Sequence, residues 1–207
     1  MGEYQHCSTP SIGITFFSDS QNEGTDIGTL LMQADLAMYQ AKAAGRNAMR
    51  FFVPAMQEAA ATRMSTEAEL RRALRDDEFK LHYQLYVDRH GQIAGIEALL
   101  RWRHPERGLV APTEFVPLAE ETGLILALGE RVMDAACRQL VAWADDPYMA
   151  ALKVSINVSA RQFHHPDFAK LVLAALARSG ANSRRLKLEL TETVLLTPKT
   201  PSSACSF

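Results

Sequence analysis

Val154–Ser159 reads VSINVS, and its alternation decides the fold class. Side chains along a strand point to opposite faces in turn. Val154, Ile156 and Val158 therefore share one face, and Ser155, Asn157 and Ser159 share the other. The same division recurs in Leu186–Thr191 (LKLELT), where Leu186, Leu188 and Leu190 oppose Lys187, Glu189 and Thr191. In Ile96–Arg101 (IEALLR), Ile96, Ala98 and Leu100 oppose Glu97, Leu99 and Arg101. Helices packed on a sheet need an apolar face beneath them, so the polar set points the other way, into a barrel interior or a sheet crevice.

Working outward, the strand-like segments are Lys80–Val87, Gln92–Trp102, Leu152–Ser159 and Leu186–Thr191. Helical stretches lie between them. Pro112, Thr113 and Gly123 bracket a short helix, and Ile125–Ala144 carries Val132, Ala136, Leu140 and Trp143 as a stripe. Pro166 opens a third helix and Gly180 closes it. Strands alternating with helices predict an α/β fold of βα units around a parallel sheet. Upstream, Ser11–Phe17 reads as a buried strand, Leu30–Ala44 as a helix ended by Gly45, and Met49–Val53 as a short closing strand. Pro54 marks a boundary before an alanine-rich connecting helix, and Thr66-x-x-Glu69 has the form of a capping box for the next one. Residues 197–207 (TPKTPSSACSF) have no apolar periodicity and read as a disordered tail.

Burying Glu97, Asn157 and Glu189 unpaired costs on the order of 2–7 kcal/mol for each polar group and more for a charge. A hard cation would offset that cost, because magnesium, manganese and calcium take carboxylate and amide oxygens. Hydrogen-bond networks or ion pairs, such as Glu97 with Arg101 or Lys187, would offset it equally well. Pattern alone leaves both readings open.

Bulk composition narrows the partners. A formal net charge of −2 gives no field to hold a nucleic-acid polymer or an anionic membrane, though a nucleotide needs only a few placed charges. Cys7, Cys137 and Cys205 form no C-x-x-C pair and fit thiols in a reducing cytosol. No signal peptide and no apolar run of membrane-spanning length occurs, so the expectation is a cytoplasmic chain without a membrane segment.

Four ordered motifs now carry a resemblance. EALLRWRHP (Glu97–Pro105), SINVSARQF (155–163), ELTET (189–193) and HYQLYVD (82–88) resemble segments of the EAL family, with Leu85 where the family usually has proline. FVPLAEETGLI (115–125) is a further match. The resemblance covers residues 67–196. It implies a TIM-type (β/α) barrel that hydrolyses cyclic di-GMP to pGpG with two Mg²⁺ or Mn²⁺ ions. By the same resemblance Glu97, Asn157 and Glu189 are metal ligands, with Glu97 and Glu189 catalytic. Arg101 holds a substrate phosphate, Gln84 and Gln162 lie near the nucleotide, and Glu192 braces a loop at a homodimer interface. Gln162 also reads as an ordinary residue of a helix start. His104, His164 and His165 have no assigned chemistry and are read as surface or turn residues.

Residues 11–17 and 34–47 resemble the closing strand and helix of an α+β GGDEF domain. The expected organisation is a C-terminal GGDEF fragment over 1–53, a linker helix over 54–66, the N-terminal half of an EAL domain over 67–196, and a non-family tail over 197–207. The Asp-Asp-Phe-Gly strand that supplies further metal ligands in the family has no counterpart in this sequence. The expectation is a partial barrel in a chain truncated at both ends and inactive by itself. The alternatives are a module that binds cyclic di-GMP without cutting it, or an unstable fragment.

Overall fold

The computed structural model describes residues 9–17 and 26–190. The chain forms two compact units that divide between Ser65 and Thr66.

In the first unit, β1 (Ser11–Ile14) and β2 (Ala48–Phe51) pair in parallel, joined by α1 (Ile27–Ala43). Asp26 starts the helix by accepting the Thr29 N–H at 2.8 Å. Gly13 explains how closely helix and strand approach. A Cβ there would lie 2.0 Å from the Ala34 carbonyl oxygen and 2.3 Å from the Met38 nitrogen. Both are backbone atoms of α1, so the strand needs a residue without a side chain at this point. Ala37 and Ala41 are fully buried on the same helix.

One helix, α2, runs continuously from Pro54 to Arg75. The connecting helix and the helix expected to start at Thr66 are therefore one element, and the Thr66–Glu69 pattern is not a helix start. The junction reads Arg63-Met64-Ser65-Thr66-Glu67, with neither proline nor glycine to break the helix there.

The second unit is built on a sheet in the order β3–β4–β6–β7, with β5 attached to β4. The strands are β3 (Phe79–Val87), β4 (Ile93–His104), β5 (Gly108–Val110), β6 (Val154–Val158) and β7 (Leu186–Leu190). β4, β6 and β7 run parallel, as the alternation of strands and helices predicts. β3 does not: it pairs antiparallel with β4. Only residues 88–92 join the two, and a crossover to a parallel neighbour takes a dozen residues or more. The Asp88 carboxylate accepts the N–H groups of His90 and Gln92 and closes the hairpin. β5, which sequence reading missed, returns antiparallel on the end of β4.

Helices α3 (Pro112–Thr122), α4 (Leu124–Ala142), α5 (Ala160–Phe163) and α6 (Phe168–Ser179) complete the unit. Gly123, at φ 82°, makes the corner between α3 and α4 that a side chain would disfavour. The apolar strand faces go where the alternation placed them. Ile96, Ala98, Val154 and Ile156 are buried with Met133, Ala136, Cys137 and Leu140 of α4 and Ala175 of α6. A second cluster joins Phe79, Trp102, Val110, Phe115 and Leu118 to Leu70 and Ala73 of α2.

His104 packs edge-on against Trp102 of that cluster and is buried, not at the surface. Its Nδ1 accepts the N–H groups of Glu106 and Arg107, which leaves the proton on Nε2, 3.5 Å from the Glu69 carboxylate. The turn carrying it folds back over the imidazole, which buries a residue that reads as polar. His164 is exposed, as expected, with Nδ1 2.8 Å from the Ala160 carbonyl.

Candidate functional site

The face of the sheet opposite α4 carries the polar residues. Hairpin register sets Gln84 directly across from Glu97, and Tyr86 across from Gly95. Parallel register then sets Glu97 beside Ser155, Ser155 beside Lys187, and Asn157 beside Glu189. Three strands distant in sequence thus bring Glu97, Asn157 and Glu189 onto one surface. Asn157 donates through Nδ2 to Glu97 Oε1 at 2.8 Å. Rotating that amide by half a turn would offer its oxygen on the same side.

Glu189 has a different partner. The Lys187 ammonium lies 2.8 Å from Glu189 Oε1. That hydrogen bond holds the Glu189 carboxyl below its ordinary range, against the opposing effect of burial and with help from the Ser155 hydroxyl. The same bond raises Lys187. Ser155 is fully buried, and its Oγ is 3.4 Å from the Tyr86 hydroxyl. The ion pairs weighed for Glu97 do not form among the described residues. Its polar contact is the neutral amide of Asn157.

Arg101 stands two alternations beyond Glu97 on the same strand face, about 13 Å along β4 at roughly 3.3 Å per residue. Its Nη1 donates to the Leu100 carbonyl at 2.9 Å, and it pairs with no carboxylate among the described residues. The guanidinium keeps N–H donors for an anion.

Gln162 is held at the start of α5. Its side-chain oxygen accepts the Ser159 N–H at 3.0 Å, and Ser159 Oγ accepts the Gln162 N–H at 3.3 Å. This capping box starts α5 and buries the amide against Gly129 of α4, where a Cβ would meet Gln162 Nε2 at 1.7 Å. Gln162→Ala is therefore expected to cost about 1–2 kcal/mol, by losing the cap and leaving a buried N–H unpaired. A thermal melt that Gln162→Ala leaves unchanged would refute this structural role. Glu192 lies outside the described residues, as do Cys7, Cys205 and the 197–207 segment.

Glu97, Asn157 and Glu189 offer oxygen donors only. That set suits a hard divalent cation such as magnesium, manganese or calcium, not a thiolate- or imidazole-seeking metal. Among the described residues no three His, Cys, Asp or Glu side chains form a metal-holding group, so the amide of Asn157 is needed to complete the set. A cavity of about 390 Å³ opens among α4, α5 and α6, lined by Leu128, Gly129, Met133, Leu171 and Val172. Its lining is largely apolar but reaches the strands, with Ile156, Asn157 and Val158 of β6 at its edge. No helix among the described residues is long and apolar enough to cross a membrane. Sequence reading missed the Tyr86–Ser155 contact and the need for Gly95, although the alternation had already put Ser155 and Lys187 on this face.

A mostly parallel α/β sheet with helices on one face, and carboxylates and an amide gathered on the other, is the arrangement of a (β/α)-barrel scaffold. The chain belongs to the EAL domain family, whose profile matches residues 67–205. The match includes most of the segment that sequence reading set apart as a tail. A Pseudomonas aeruginosa protein described as the bifunctional diguanylate cyclase/cyclic di-GMP phosphodiesterase MucR is 41% identical over 187 residues, 90% of this chain and 27% of that protein. The Escherichia coli cyclic di-GMP phosphodiesterase PdeR is 35% identical over 193 residues, 93% of this chain and 28% of its own. Among solved structures, the MucR phosphodiesterase in complex with cyclic di-GMP superposes with a TM-score of 0.60 at 42% identity, covering 64% of this chain and 53% of that one. The EAL enzyme Bd1971, bound to cAMP and cyclic di-GMP, gives 0.61 at 27% identity over 86% of this chain and 47% of that one. The chain thus spans about a quarter of these curated relatives and about half of these solved chains.

Proposed function

We propose that the polar face of the second unit is one half of a cyclic di-GMP phosphodiesterase site that works with divalent metal, Mg²⁺ or Mn²⁺. The observation that carries this is the meeting of Glu97, Asn157 and Glu189 on one face, with Glu97 and Asn157 joined at 2.8 Å. These three residues would hold the cation. When bound, the metal neutralises phosphate charge and lowers the pKa of a coordinated water. Glu97 and Glu189 supply the negative charge that holds the ion, and Asn157 fixes the orientation of Glu97. Arg101 offers a planar donor pair to a phosphate. Gln84, across the hairpin from Glu97, would meet the nucleotide. In the assembled protein, the first unit is the closing portion of a GGDEF domain in a bacterial second-messenger protein.

The sequence holds three of the family's oxygen donors and none of its Asp-Asp-Phe-Gly aspartates, so binding is the property to measure on this chain. With Mn²⁺ present, a fluorescent cyclic di-GMP analogue is expected to bind saturably. Arg101→Ala is expected to weaken it at least tenfold, the order of one charge-assisted hydrogen bond. Equal binding by Arg101→Ala, or binding indifferent to chelation of the metal, would count against the reading.

A further inference from the structure

We propose that Lys187 is a resident counter-cation for Glu189 that competes with divalent metal for its carboxylate, and so sets the metal affinity of this face. The inference rests on the proposed reading of Glu189 as a metal ligand.

The two carboxylates on the face are not equivalent. Glu97 accepts from a neutral amide, which carries no charge to repel a cation. Glu189 already has an ammonium 2.8 Å from Oε1. Lys187 and Glu189 are two residues apart on one strand, so both side chains rise from the same face and the pair needs no bend in the backbone.

Lys187 is also held from its other side. Its Nζ lies 5.9 Å from the centre of the Tyr86 ring, within the range in which a ring face attracts a cation. Tyr86 is itself fixed, with its hydroxyl 3.4 Å from the buried Ser155 Oγ. Gly95 makes that placement possible, because a Cβ there would lie 2.5 Å from the Tyr86 hydroxyl oxygen and 3.0 Å from the Lys153 carbonyl oxygen. Tyr86, fixed by Ser155 and given room by Gly95, lies against the ammonium, whose charge is paired with Glu189. A metal that coordinates Glu189 must take over the lone pairs this ammonium uses, or bind beside its positive charge. Either way the lysine opposes the metal.

The test is Mn²⁺ binding to the 207-residue chain, read as loss of the free-ion electron paramagnetic resonance signal. Lys187→Met is expected to tighten binding roughly tenfold, the order that Coulomb's law gives for removing one charge about 5 Å from a divalent ion in a water-like dielectric. Lys187→Arg keeps the charge and is expected to bind like the parent. Unchanged or weaker binding by Lys187→Met overturns the proposal, as does the absence of Mn²⁺ binding by both parent and variant. Appearance of binding only in Lys187→Met supports it. Glu189→Gln separates the two layers of the argument. If it weakens Mn²⁺ binding while Lys187→Met fails to tighten it, the counter-cation proposal alone fails. If Glu189→Gln changes nothing, Glu189 is not a ligand and both readings fall.

Discussion

Trp102→Ala is expected to destabilise the second unit by about 3–5 kcal/mol, the cost of deleting a large side chain from a packed core. That is a large fraction of the roughly 5–15 kcal/mol by which a domain is usually stable. Trp102 is fully buried. Its ring meets Phe115 edge-on at 5.7 Å and His104 edge-on at 5.1 Å, and tilts against Phe79 at 5.7 Å. Its Nε1 donates to Glu78 Oε2 at 2.9 Å. The alanine variant would therefore open a cavity between β4, α2 and α3 and strip a hydrogen bond from a mostly buried carboxylate. Trp102→Phe keeps much of the volume and loses the hydrogen bond, so a smaller loss of about 1–2 kcal/mol is expected. Urea titration followed by far-ultraviolet circular dichroism distinguishes the three proteins without relying on tryptophan emission. A cost below about 1 kcal/mol for Trp102→Ala would mean that this aromatic cluster does not organise the unit.

Trp102 also illustrates what could be read from the sequence. Alternation in IEALLR, VSINVS and LKLELT places the apolar sets against helices and the polar sets together, and the structure has both arrangements. Period-two patterns survive folding because a strand has only two faces to offer. Direction is harder. Nothing in the alternation distinguishes the antiparallel β3 from a parallel neighbour, and only the shortness of residues 88–92 carries that information. Burial of His104 was illegible for another reason. Its Nδ1 is satisfied by the turn at Glu106 and Arg107, and its Nε2 faces a glutamate on α2 at 3.5 Å, thirty-five positions earlier; such neighbours exist only once the chain has folded. Gln162 shows the opposite case, since the Ser159-x-x-Gln162 spacing that places it in a capping box is present in the sequence. The pairing of Lys187 with Glu189, instead of with Glu97, follows from their two-residue spacing on one face once the strand is established.

The proposed chemistry makes its strongest demand on Glu97. Residues 67–190, grafted in place of the matching segment of the MucR phosphodiesterase domain to which the chain is 42% identical, are expected to give Mn²⁺-dependent release of pGpG from cyclic di-GMP. Glu97→Ala in that graft is expected to lower the rate by a hundredfold or more. Changing the residues that merely support a metal ligand already costs about 10–100-fold, and removing a ligand exceeds that. Two features of the face sharpen the expectation. Glu97 is the carboxylate without a cation of its own, so it is the one ready to receive metal first. Asn157 would also lose the acceptor for its Nδ2, so a second ligand loosens when the first is removed. Glu97→Gln keeps the shape and removes the charge. If charge is what matters, the glutamine variant falls as far as the alanine variant. If Glu97 only orders Asn157, the glutamine side-chain oxygen still accepts that hydrogen bond and activity largely returns. Full activity in both variants would remove Glu97 from the mechanism, and with it the argument that this face is where the phosphate is cut.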